Sequence, residues 1–163
     1  MTSRILQLTL VSTLFLGLVG CDHATKRLAQ SHLRDAPPRT VIPDRVELRY
    51  VENRGTAFSL EQHVAPGVTR WGLPVARSLA LLGLLAFWWV RRRETPLIEH
   101  AALAVVLAGA AGNTVEYLAA GRVIDFFHVR GWPVFNLADV YLSVGVALLL
   151  CTHLLRRPTA ASD

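Results

Sequence analysis

The sequence predicts a membrane all-α fold: four transmembrane helices with a small β-sheet in the first outer loop. Three observations carry this expectation. Apolar residues gather into four runs, each near the ~20 residues a helix needs to cross a ~30 Å hydrocarbon core. Arginines cluster at the ends of those runs. The polar side chains that do enter the runs fall almost wholly toward one of the two membrane faces. With 52% hydrophobic and 18% charged residues, charge has to be segregated from apolar sequence for such a chain to fold. The length, 163 residues, suits a single domain over 1–163.

The first run extends roughly from Ile5 to Ala29 and the second from Gly72 to Val90. The third spans about Leu97 to Ala120 and the fourth about Val134 to Leu155. None alternates as a strand does, and only helices or closed barrels satisfy their backbone in lipid. Between them lie two outer loops, about 31–71 and 121–133. The first contains Thr40-Val41-Ile42 and then Val46-Glu47-Leu48-Arg49-Tyr50-Val51, where apolar and charged residues alternate as in a half-exposed strand. Pro43-Asp44 between them is a turn signal. A small sheet lying on the membrane is the expectation.

Orientation follows from arginine. Arg4 precedes the first run, Arg91, Arg92 and Arg93 follow the second, and Arg156 and Arg157 follow the fourth. In a four-span chain these places share one side, which the positive-inside rule makes cytoplasmic. Both termini are then cytoplasmic. Trp71 and Trp132 fall in the outer interfacial belt, Trp88 and Trp89 in the inner one. The formal net charge of +5 is almost wholly arginine, Lys26 being the only lysine. Its placement reads as membrane topology, so no nucleic-acid partner is expected. Cys21 and Cys151 form no disulfide framework and no metal quartet. A rival reading exists for the N-terminus: Leu18-Val19-Gly20-Cys21 looks like a lipoprotein cleavage site, which would make Met1 to Cys21 a removable leader. Three further spans stand against it, as do the residues that follow Cys21.

Ionisable groups within spans are costly and point to function by default. Asp22 and Lys26 share a face at i,i+4 near the outer end of helix one, where they can form a structural ion pair. Asn113 and Glu116 share a face of helix three, and Asn136 and Asp139 a face at the start of helix four. Asp125 and Asn53 lie in the two outer loops. Asn113 and Asn136 read equally as glue between helices. Glu99 and His100, at the inner end of helix three, are explained by interfacial solvation, and His128 by a solvated loop. Asp125 in Val123-Ile124-Asp125-Phe126-Phe127, and Asp139 at the head of an apolar run, are different. Two carboxyls in apolar surroundings at one membrane face form a candidate dyad. Held close, they split their titration, so one keeps a proton near neutral pH while the other activates water.

At these residues the chain resembles lipoprotein signal peptidase, the signal peptidase II family of membrane aspartic peptidases. Asp22-His23-Ala24-Thr25-Lys26 is similar to the family's Asp-x-x-Thr/Ser-Lys element, and Asn53-Arg54-Gly55-Thr56-Ala57-Phe58-Ser59 to its Asn-x-Gly-x-Ala-Phe-Ser loop. Gly112-Asn113 opens a third element. Gly121-Arg122-Val123-Ile124-Asp125-Phe126 resembles Gly-x-Val-x-Asp-Phe, and Phe135-Asn136-Leu137-Ala138-Asp139 resembles Phe-Asn-x-Ala-Asp. Where the third element usually reads Gly-Asn-x-x-Asp-Arg, this chain has Glu116 and Tyr117. Glutamate keeps the charge on a longer stem, whereas tyrosine removes a cation.

The resemblance implies an endopeptidase of the bacterial inner membrane with its site at the outer face. Asp125 and Asp139 would be the catalytic pair. Asn53, Gly55, Asn113 and Asn136 would hold substrate backbone or orient the pair. Its partners would be prolipoproteins carrying diacylglyceryl-cysteine, cut before that cysteine, and membrane lipids. It implies no metal, no cofactor and a monomer. The Glu116-Tyr117 departure keeps open a weakly active or inactive paralogue that binds lipidated peptides.

Overall fold

A computed structural model of the chain describes residues 2–54, 72–93 and 95–155. Gly55, Phe58, Trp71, Arg156 and Arg157 lie outside the described residues. The elements are α1 (Thr2–Leu33), β1 (Arg39–Ile42), β2 (Val46–Asn53), α2 (Leu73–Arg91), α3 (Leu97–Ala120), β3 (Val123–Val129) and α4 (Leu137–Leu155). Among the described residues, four helices are long and apolar enough to cross a membrane.

α3 is the central helix and packs against α1, α2 and α4. Small residues permit the closest crossing. A Cβ added at Gly145 of α4 would lie 2.6 Å from Val106 Cγ2 and 2.8 Å from the Val106 backbone nitrogen of α3. Backbones approach this closely in lipid because dispersion, with no hydrophobic drive between helices, must hold them together. Apolar side chains on the outer faces stay exposed, among them Leu8, Leu16, Leu79, Leu82, Leu148 and Leu150. In a bilayer these face acyl chains.

α1 has 32 residues and is about 48 Å long at 1.5 Å per residue. That exceeds the hydrocarbon core, and the helix runs one turn beyond the expected end near Ala29 before Pro37 and Pro38 close off any continuation. The last turns carry the sheet: Ala29 and Leu33 bury against Ile124 and Phe126, with Leu48, Tyr50 and Phe127 packed around them.

The sheet is antiparallel in the order β1-β2-β3. β1 and β2 form the expected hairpin, turned at Asp44, which adopts φ 58°. Its third strand comes from the second outer loop, where no strand was expected. Residues 123–126 are buried on both faces, so the sequence shows no alternation there. His128 is therefore a strand residue, hydrogen-bonded to Arg49 at 2.9 Å, rather than a solvated loop residue. Val51 pairs with Asp125 and Asn53 with Val123, after a bulge between Leu48 and Val51. Glu52 gathers Arg34, Arg54 and Arg122 at the β2 end.

Glu99 and His100 also differ from expectation. Both are buried, and Trp88 Nε1–H donates to His100 Nδ1 at 3.1 Å. Trp88 of α2 packs on His100, and Glu99 and His100 are both buried, so solvation alone does not account for their presence.

Candidate active site

α4 begins with a reciprocal cap. The Asn136 side-chain oxygen accepts the Asp139 N–H at 3.1 Å, and Asp139 Oδ2 accepts the Asn136 N–H at 3.1 Å. This is the capping-box arrangement, built here from asparagine and aspartate. A third donor, the Ala138 N–H, is taken by Asp22 Oδ1 of α1 at 3.0 Å. Glycine at 112 admits that carboxylate, since a Cβ there would stand 2.6 Å from Asp22 Oδ2. The chain enters this cap from Phe135, whose carbonyl accepts both the Phe126 and Phe127 N–H groups at 3.0 and 2.9 Å. β3 and the head of α4 are thereby fixed to each other.

The cap places Asn136 between the two candidate carboxyls. Its Nδ2 donates to Asp125 Oδ1 at 2.7 Å and to Asn113 Oδ1 at 3.0 Å. Asn113 Nδ2 donates to Asp139 Oδ1 at 2.8 Å. From the other side, Asn53 Nδ2 donates to Asp125 Oδ2 at 3.0 Å. Lys26 Nζ lies 2.9 Å from Asp22, 2.9 Å from Glu116 and 2.8 Å from Asn113 Oδ1. Asp22, Lys26 and Asn136 are almost wholly inaccessible. The structure thus brings together Asp125, Asp139, Asn53, Asn113, Asn136, Asp22, Lys26 and Glu116; Gly55 lies outside the described residues.

Burial pushes the Asp125 carboxyl up to about 6, and the nearby Asp139 charge adds to the rise. Hydrogen bonds from Asn53 and Asn136 and the charge of Lys26 oppose it. Asp139 differs in kind. Both its oxygens accept from fixed donors at the first turn of a helix. Asp125, suited by burial to holding a proton, therefore stands beside a carboxyl fixed in place by two donors.

Glu116 and Tyr117 occupy the end of α3, and both reach the sheet. Glu116 Oε1 accepts the Ile124 N–H at 3.3 Å while its other oxygen pairs with Lys26. The Tyr117 hydroxyl donates to the Arg54 carbonyl at 2.8 Å. The Arg77 guanidinium of α2 sits over the Tyr117 ring, 4.4 Å from its centroid. Spacing gave no reason to single out Arg77. The signal was a lone arginine one turn inside an apolar run.

Four membrane-spanning helices capped by a small sheet, with two amide-linked carboxyls where they meet, define a class: the integral-membrane aspartic peptidases. A family model described as signal peptidase (SPase) II matches residues 14–155, and the chain belongs to that family. It is 40% identical over 137 residues to a lipoprotein signal peptidase of Pseudoalteromonas translucida (strain TAC 125), covering 82% of this chain and 81% of the relative. To that of Chlorobium luteolum (strain DSM 273 / BCRC 81028 / 2530) it is 34% identical over 152 residues, covering 85% and 87%. Two solved structures described as a bacterial membrane enzyme share the fold at TM-scores of 0.77 and 0.78, each 21% identical. The first covers 95% of this chain and 93% of its own, the second 91% and 95%.

Proposed function

We propose that this chain is a membrane aspartic endopeptidase that removes signal peptides from diacylglyceryl-modified prolipoproteins, cutting before the lipidated cysteine. The observation that carries the reading is Asn136, whose one side chain and backbone N–H bind both carboxyls. Family membership supplies the substrate class. The whole of 1–163 acts as a single domain and as a monomer, with no nucleic-acid partner. Both termini are cytoplasmic and the site faces outward, as the arginine placement supports.

Asp139 and Asp125 are the catalytic pair in this mechanism. The nucleophile is a water taken up between them. Asp139 takes a proton from it as the oxygen attacks the scissile carbonyl, and Asp125 gives its proton to the carbonyl oxygen. The resulting gem-diol collapses: Asp125 recovers a proton from a hydroxyl, Asp139 delivers one to the leaving nitrogen, and the C–N bond breaks. Asn53, Gly55 and Asn113 hold substrate backbone or the pair itself, and Asn136 orients both carboxyls. Asp22 and Lys26 form the structural ion pair that anchors α1 to the head of α4. The inactive-paralogue reading is not favoured. Glu116 and Tyr117 both make bonds that secure the strands bearing Asn53 and Asp125.

Cleavage of a diacylglyceryl-modified prolipoprotein by lipid-embedded protein tests the assignment. Wild type is expected to cleave, and Asp125→Asn and Asp139→Asn each to lose at least about 100-fold in kcat. An inactive wild type, or full turnover by either variant, defeats it.

A further inference from the structure

Asp125 accepts a hydrogen bond from Asn53, the last residue of β2. Sheet pairing supports Asn53 from one direction, through its register with Val123. Immediately beyond it, the Arg54 carbonyl accepts the Tyr117 hydroxyl at 2.8 Å. Tyr117 is 7% exposed, and the Arg77 guanidinium lies 4.4 Å from its ring centroid. A guanidinium on an aromatic face is attracted by the ring quadrupole, the more so when water is excluded. It also fixes the plane of the ring, and with it the direction of the hydroxyl. The neighbouring Glu116 holds the opposite strand, through the Ile124 N–H one residue before Asp125. The end of α3 thus grips both strands beside the Asn53–Asp125 bond.

We propose that Tyr117, seated under Arg77, is a positioning residue for the reaction: through the Arg54 carbonyl it holds the Asn53 amide against Asp125. The proposal rests on the reading of Asp125 as catalytic. Tyr117 acts through backbone, by way of the Arg54 carbonyl. Arg77, reaching from α2, links the position of that helix to the geometry of the pair.

The groups facing Asp125 are Asn53 from β2, Asn136 at the head of α4, Asp139 from α4 and Lys26 from α1, the last engaged by Asp22 and Glu116. Of these, Asn53 favours the charged form of Asp125 by donating to it. Loosening Asn53 therefore moves the protonation of Asp125 to higher pH.

The test uses the full chain in lipid nanodiscs, with two readouts. One is infrared titration of the carboxyl band that Asp125→Asn removes; the other is kcat and KM on a diacylglyceryl prolipoprotein. Tyr117→Phe keeps the ring and the cation above it but loses the donor. It is expected to raise the titration midpoint and to lower kcat about fivefold to tenfold with KM unchanged. Arg77→Leu is expected to move both in the same direction, and Arg77→Lys to recover most of the loss. A Tyr117→Phe protein that titrates as wild type overturns the proposal, even where its thermal stability has fallen. If wild type does not cleave, the peptidase reading fails by itself, and the infrared midpoint still decides the positioning role.

Discussion

Asn136 caps α4 and also bridges the two carboxyls, so one substitution separates the chemical and structural consequences of a single residue. Asn136→Ala removes a helix cap, which costs about 1 kcal/mol. It also removes a donor to the charged form of Asp125. With the Asp125 carboxyl pushed up to about 6 by burial, its proton is present below that pH and lost above it. An Asp125 that works as the acid gives kcat/KM an alkaline limb near 6. Substrate covers the carboxyl further and displaces the limb of kcat upward. In Asn136→Ala the kcat/KM limb is expected to move to higher pH, because the lost bond had stabilised the ionised form. Paired pH–rate profiles check this, and a limb that stays in place or moves down removes Asp125 from the acid role.

Among the elements, the α3–α4 crossing and the α1 ion pair make the sharpest predictions. Gly145→Ala would bring a Cβ within 2.8 Å of the Val106 backbone nitrogen, far from the carboxyls. It is expected to cost about 1–3 kcal/mol of stability with the chemistry intact in the folded fraction. Gly83→Ala in α2 meets nothing within 4 Å and is expected to be neutral or stabilising. Lys26→Met leaves Asp22 and Glu116 without their cation; breaking a buried pair this way costs about 3–5 kcal/mol. Chemical unfolding in detergent, followed by circular dichroism, ranks the three.

These elements also show how far the chain can be read without coordinates. The helices were legible because a spanning segment has to be continuously apolar. β1, β2 and the Asp44 turn were legible because that hairpin is uncovered, β1 exposed throughout and β2 half-buried, so charged residues are free to alternate with apolar ones. β3 was not, since a strand covered on both faces loses its period. The i,i+3 spacing of Asn136 and Asp139 was visible as a shared face, but a reciprocal cap needs the backbone to be seen. The bonds from Asp22 to Ala138, from Glu116 to Ile124 and from Tyr117 to Arg54 join segments remote in sequence, and no local pattern announces them.

At the scale of the molecule, orientation has a direct test. In a chain with its native cysteines replaced, a single cysteine at Asp35 is expected to react with a membrane-impermeant thiol reagent added outside intact cells. One at Arg93 is expected to react only after lysis. The reverse pattern overturns the topology.

α1 then serves as a measuring rod. From Arg4 to Asp22 there are 18 rises, about 27 Å along the axis, close to the thickness of the hydrocarbon. With Arg4 at the cytoplasmic edge of the hydrocarbon and the helix upright, residues 22–26 of α1, whose Asp22 accepts the Ala138 N–H at the head of α4, would come level with the rim of the opposite leaflet. A substrate whose acyl chains stay dissolved in that leaflet presents its cysteine at the same height. Depth alone would then sort its peptide bonds: a bond one helical turn deeper or shallower is displaced by about 5.4 Å, more than the reach of either carboxyl.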